Sequence, residues 1–190
     1  MTSTVRSIEL PEEVVLSETM PSIEPTQLRF LLRKLSLRRG QTVVVIGCPE
    51  FNALRNLADC VGDIGKVLVL LTDEQLQARH GLSSQLQQLC TEYGQIIFGK
   101  LGPSAELQQA DAMIIMSDRL TPPYEPLLDQ AWRRLVSGGR IMLVLPEGEA
   151  HTDKLYQLIE VACRLGFVSR YRRCCNKHTA WVGVKYSNKG

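Results

Sequence analysis

The sequence predicts an α/β protein, a three-layer α/β/α sandwich around a seven-stranded, mostly parallel sheet that closes in an antiparallel C-terminal hairpin. Three observations carry that expectation. Runs of β-branched and aliphatic residues recur along the chain, such as TVVVI (42–46) and RIMLVLP (140–146), and continuous runs of this kind suit strands covered on both faces. Between them the apolar residues fall at i, i+3, i+4 and i+7, the spacing of one helical face. After the fifth strand and its helix the alternation stops. Two extended segments, FVSRYRRC and TAWVGVKY, then follow with only Cys175 to His178 between them. Parallel neighbours need a crossover of a dozen or more residues, so this pair is expected to run antiparallel.

Residues 1–24 read as an extended arm ahead of a domain at 25–190. The arm lacks helical periodicity, holds Pro11 and Pro21, and offers one short strand at EEVVL. Helical pattern begins at once afterwards, with Leu28, Leu31, Leu32 and Leu35 in one stripe. Pro25 suits the first turn of that helix, and Gly40 stops the chain before the strand TVVVI. Leu54, Leu57, Ala58 and Val61 form the next stripe, and GKVLVLL (65–71) the second strand. Leu86, Leu89, Cys90 and Tyr93 repeat the helical spacing, with Gly94 closing the helix. QIIFG (95–99) is the third strand and DAMIIM (111–116) the fourth. Leu127, Leu128, Ala131 and Leu135 mark a helix expected to stop at Ser137-Gly138-Gly139, before the fifth strand, RIMLVLP. Leu155, Leu158, Ile159, Ala162 and Leu165 form the last stripe, closed by Gly166.

At 190 residues, with 44% apolar and 22% charged, the chain can bury the core of one globular domain. No apolar run approaches the roughly 18–20 residues needed to cross a bilayer. The N-terminus has neither an apolar signal core nor an Arg-rich transit pattern. A cytoplasmic location without membrane contact is the expectation. Cys48, Cys60, Cys90 and Cys163 fall on apolar strand or helix positions, where a free thiol behaves as a small hydrophobe. No C-x-x-C pair is present, so zinc and iron–sulfur sites are not expected. The adjacent Cys174 and Cys175 read as reduced thiols. His80, His151 and His178 read as surface residues, with no metal spacing and no partner nucleophile.

Charge is unevenly laid out behind a net value of +2. Residues 1–24 hold Glu9, Glu12, Glu13, Glu18 and Glu24 against Arg6 alone. Residues 161–190 hold Arg164, Arg170, Arg172, Arg173, Lys177, Lys185 and Lys189 and no acid. Such a basic end attracts an acidic protein surface or a phosphate backbone, or else the two termini lie against each other. Arg170, Arg172, Arg173 and Lys177 are the candidate partner-binding residues. Tyr171 and Trp181 beside them suggest a surface on which RNA bases could stack. A charged edge strand that merely resists aggregation explains the same residues. A protein partner ranks ahead of nucleic acid, because +2 is modest for a nucleic-acid binder.

Several stretches resemble the class I S-adenosylmethionine-dependent methyltransferases, over roughly residues 26–186. LSLRRGQTVVVIGC resembles the lead into that family's first strand, and VGDIGKVLVLLTDEQL its second. LLDQAWRRLVSGGRIMLVLP resembles its helix, Gly-Gly turn and fifth strand, and LIEVACRLGF the turn into its final hairpin. The resemblance implies a Rossmann-like sheet with a cofactor at the carboxyl ends of the strands.

Measured against the family pattern, that site is altered. The usual acid-x-G-x-G-x-G falls on Val45, Gly47, Pro49 and Phe51, so only Gly47 of the glycines remains. Pro49 removes a donor, Phe51 adds bulk where backbone would approach the cofactor, and Glu50 adds negative charge near the cofactor's carboxylate. The acid that would accept the ribose hydroxyls is replaced by Leu71, and Lys100 and Leu101 stand where an acid near the adenine is common. Gly47, Cys48, Asp73 and Ser117 are left as candidate cofactor contacts, although Asp73 also suits the start of a helix. Asp118 as a base and Arg119 as an anion binder are the candidate catalytic residues. A capped polar loop accounts for both and is the preferred reading. Tyr124 in the stiff LTPPYEP loop could serve as a stacking lid.

The expectation is a methyltransferase-like domain that binds S-adenosylmethionine weakly or not at all and acts as a binding or assembly module. Two alternatives stand beside it. One is an active, divergent methyltransferase, and the other an RNA-associated factor that uses the basic hairpin.

Overall fold

In the computed structural model the described residues are 23–47, 50–71, 73–78, 81–101, 109–116, 120–175 and 177–186. Helix α1 (Pro25–Lys34) leads into β1 (Thr42–Gly47), α2 (Phe51–Val61), β2 (Lys66–Leu71), α3 (Asp73–Ala78), α4 (Leu82–Glu92) and β3 (Ile96–Lys100). Then come β4 (Ala110–Met116), α5 (Glu125–Arg134), β5 (Leu135–Pro146), α6 (Glu149–Leu165), β6 (Phe167–Cys175) and β7 (His178–Lys185). The strands form one seven-stranded sheet in the order β3-β2-β1-β4-β5-β7-β6. β1 to β5 run parallel, and β7 lies antiparallel between β5 and β6. The expected sandwich and terminal hairpin are therefore present. Among the described residues no helix is long and apolar enough to cross a membrane.

Strand alternation divides the core into two layers. Successive strand residues face opposite sides of a sheet, so Val43 and Val45 pack with Leu31, Leu54, Leu57 and Leu86 on one face. Val44 and Ile46 pack with Leu128, Leu158 and Trp181 on the other. The register Val43↔Val67 and Val43↔Ala112 holds β1 between β2 and β4, buried on both sides.

Four expectations change on contact with the tertiary structure. Helix α5 ends at Arg134, earlier than the Ser-Gly-Gly stop, and Leu135 turns extended into a twelve-residue β5. The Lys185 ammonium donates to the carbonyls of Trp132 and Leu135 at 2.6 and 2.7 Å, closing the helix from across the sheet. His178 is only 1% exposed. The turn lies one residue earlier, at Lys177 (φ +63), so His178 enters a strand flanked on both edges. His151, read as a surface residue, stands half-buried in the first turn of α6. Cys60 and Cys163 are exposed, because they fall on the outward faces of α2 and α6.

Candidate functional site

In the strand order β1 stands between β2 and β4, whose connections leave in opposite directions. That arrangement places a ligand crevice outside the carboxyl ends of the central strands. β1 ends there in Gly47 (φ +112), paired with Met116 of β4. A left-handed φ suits glycine because a Cβ would strain it. Glu50 precedes α2, its carbonyl accepting the Ala53 N–H at 2.9 Å, and Phe51 opens the helix. The half-buried Phe51 packs against the apolar layer beneath α1 and α2. A carboxylate at this helix start interacts favourably with the helix dipole, and by the same charge opposes a second anion there.

Val45 and Leu71 are both 0% exposed. By the sequence resemblance these are positions where acids would be expected, and both belong to the same apolar layer as Phe51. The Leu71 carbonyl accepts the Leu101 N–H at 2.7 Å, and Leu71 lies beside Lys100 in the β2–β3 register. Aliphatic side chains cannot accept hydrogen bonds from ribose hydroxyls. An apolar cavity of about 10 Å³ lies nearby between α1, α2 and the sheet, lined by Ile23, Leu28, Val45, Met116 and Val144 among others. Ligand sites typically measure about 300–1,000 Å³, so this space is a packing gap.

The remaining cofactor and catalytic candidates meet the structure unevenly. Cys48, Ser117, Asp118 and Arg119 lie outside the described residues. Asp73 begins α3, as a helix-starting residue should, and its side chain is likewise outside them. Tyr124 is no lid. It is 6% exposed, sits before α5 within the second core layer, and burial raises its hydroxyl pKa above the usual tyrosine value. Partial desolvation, with help from Asp59, also pushes up the thiol of the otherwise exposed Cys60, and desolvation pushes up that of the half-buried Cys90, which keeps both protonated and weakly nucleophilic at neutral pH. Among the described residues no group of three His, Cys, Asp or Glu could hold a metal ion.

The basic candidates come together on one edge. β6 is the last strand of the sheet, and Arg170, Arg172, Arg173 and Lys177 are all exposed. Each arginine lies over a ring: Arg170 over Tyr186 (5.2 Å to the centroid), Arg172 over Tyr156 of α6 (4.3 Å) and Arg173 over Phe30 of α1 (5.3 Å). Arg170 and Arg172 also donate to the hydroxyls of Tyr186 and Tyr156. Lys34 sits over Phe30 (4.8 Å) and Tyr171 (4.9 Å), whose rings meet edge-on at 6.0 Å. Trp181, expected as a stacking platform, is instead 1% exposed and donates its indole N–H to Ser169 Oγ at 2.8 Å. It faces α6 from a covered strand and cannot receive a base. Two other C-terminal cations are engaged: Lys185 at the end of α5, and Arg164, which pairs with Glu125 at 3.2 Å.

Helix α1 is the part of this surface that sequence reasoning missed. Residues 25–49 carry Arg29, Arg33, Lys34, Arg38 and Arg39 and no acid. Arg29 and Arg33 are exposed on the same helix as Phe30 and Lys34. That acid-free run was the signal available. Its meaning depended on knowing that α1 lies against β6.

No protein-family model and no curated protein sequence matches this chain. Solved structures do. The S-adenosylmethionine-dependent O-methyltransferase of Thermotoga maritima aligns with a TM-score of 0.68 at 17% identity, over 92% of this chain and 70% of its own. Precorrin-6y C5,15-methyltransferase of Geobacter metallireducens aligns at 0.67 and 15% identity, over 89% and 93%. An S-adenosylmethionine-dependent methyltransferase of Aquifex aeolicus gives 0.67 and 14%, over 85% and 93%. At these identities the likeness is one of fold: strand order, terminal hairpin and helical layers are those of the class I methyltransferases.

Proposed function

We propose that this chain, built on the fold of the class I S-adenosylmethionine-dependent methyltransferases, is a non-catalytic binding or assembly module whose cofactor site is degenerate. One observation carries the reading: Val45, Phe51 and Leu71, at three positions that would contact the cofactor, are packed into a single apolar layer. A ribose bound against Leu71 would lose hydrogen bonds to water and gain none from the protein, at a cost of about 1–3 kcal/mol for each unsatisfied group. The exposed chemistry lies elsewhere, on the basic and aromatic face of β6 and α1. That face suits an acidic polypeptide better than a structureless polyanion, because arginines braced on tyrosine rings are typical anchors of protein interfaces.

Titration of the purified protein with S-adenosylmethionine to millimolar concentration tests the reading. No heat of binding and no rise in Tm are expected. A ligand at 100 times its Kd stabilises by about 2.7 kcal/mol. A Tm increase of several degrees would therefore return the chain to the divergent methyltransferases.

A further inference from the structure

We propose that residues 9–18, ELPEEVVLSE, pair along the outer edge of β6 as an additional strand, their glutamates set against Arg170, Arg172 and Arg173. The inference deepens the reading of this face as an interaction surface by naming its occupant. β6 spans nine residues and pairs only with β7 among the described residues, so half of its backbone hydrogen-bonding groups face outward. Val168 and Tyr186 are exposed beside that edge. A long open edge of this kind invites pairing unless it is covered or charged.

The charges decide what can cover it. A second copy of β6 would set arginine against arginine, which like-charge repulsion disfavours. Nucleic acid could meet the guanidinium groups but could not extend the backbone ladder. An acidic strand does both. Residues 9–18 contain four glutamates, no basic residue, and the β-favouring run Val14-Val15. Pro11 falls near the start, where an edge strand tolerates it.

Side-chain direction agrees as well. Arg172 lies over Tyr156 of α6, and Arg173 over Phe30 of α1, so neighbouring arginines serve opposite faces of the sheet. Glu12 and Glu13, adjacent in a strand, would likewise point to opposite faces. Each ring holds one face of its arginine; Arg170 and Arg172 each give one N–H to a tyrosine hydroxyl, and a guanidinium has further N–H groups to offer a carboxylate. Reach is sufficient. Ile23 lines the same cavity as Met142 and Val144 of β5, and β6 lies two strands further, so its edge is about 10–15 Å away. The chain from Glu13 to Ile23 spans up to about 33 Å.

Hydrogen exchange on the full-length chain tests the pairing. The outward-facing amides of β6 are expected to exchange at least tenfold faster in Glu12→Lys/Glu13→Lys and in Arg172→Glu/Arg173→Glu than in the wild type. Joining the two pairs in one chain should restore protection, with amides of β1 and β4 as the control for folding. If the arginine variant unfolds, Glu12→Gln/Glu13→Gln decides alone. Identical β6 exchange in the wild type and the glutamate variants overturns the inference. So would a single-stranded RNA 20-mer that binds the wild type and Glu12→Lys/Glu13→Lys with one Kd, since an arm that covers the face must compete with it. The readout does not involve the cofactor loops. A positive S-adenosylmethionine titration would therefore overturn the proposed function and leave this inference standing.

Discussion

Replacing Leu71 by Asp would restore the family's acid at the end of β2, yet the side chain would enter a fully buried aliphatic layer. An unpaired carboxylate there must be desolvated or held protonated, at a cost of several kcal/mol. Leu71→Asp is expected to lower unfolding stability by about 2–5 kcal/mol, measured by urea denaturation, and to gain no affinity for S-adenosylmethionine. A stable variant that binds the cofactor would mean that this position faces a ligand. That a leucine stands where the resembling family carries an acid was legible in the sequence, because a resemblance supplies the expected residue. That the replacement is sealed into the core was not, since burial depends on what α1, α2 and α4 bring over the sheet.

Elements end where their last hydrogen-bonding groups find partners, and the α5–β5 corner shows that the partner can be remote. The carbonyls of Trp132 and Leu135 are held by Lys185, which follows them by about fifty residues in the chain and also lies over the Trp132 ring at 5.1 Å. A cation at a helix C-terminus opposes the negative end of its dipole. Lys185→Met keeps much of the stem and removes the donor. It is expected to cost about 1–3 kcal/mol, read from the denaturation midpoint, and a loss below about 0.3 kcal/mol would show that water satisfies these carbonyls instead. The Ser-Gly-Gly sequence was a sound local stop signal, but the helix stops earlier because Leu135 is buried in extended form against β4. His178 follows the same logic. The turn was placed within the correct four residues, and the antiparallel register settled which of them joins the strand.

For the molecule as a whole, the decisive feature is that charges distant in sequence share one edge. Arg170→Ser/Arg172→Ser/Arg173→Ser should leave the fold intact, because all three arginines are exposed. Retention on a heparin column should move to lower salt, since polyanion binding falls as fewer charges are neutralised. Unchanged elution would show that the face contributes no net attraction.

The alternation of buried strands with amphipathic helices, and the short link before the last strand, were enough to determine the fold class and the hairpin. Those signals are local: period, run length and loop length constrain a chain before any distant contact forms. The gaps in the cofactor pattern at Val45, Phe51 and Leu71 were legible for the same reason, position by position. Tertiary structure alone decided that these three side chains fill one layer, that Trp181 and His178 are covered, and that α1 meets β6. Each is a contact between segments far apart in the chain, and burial and electrostatic fields depend on distance in space, which the order of residues does not contain.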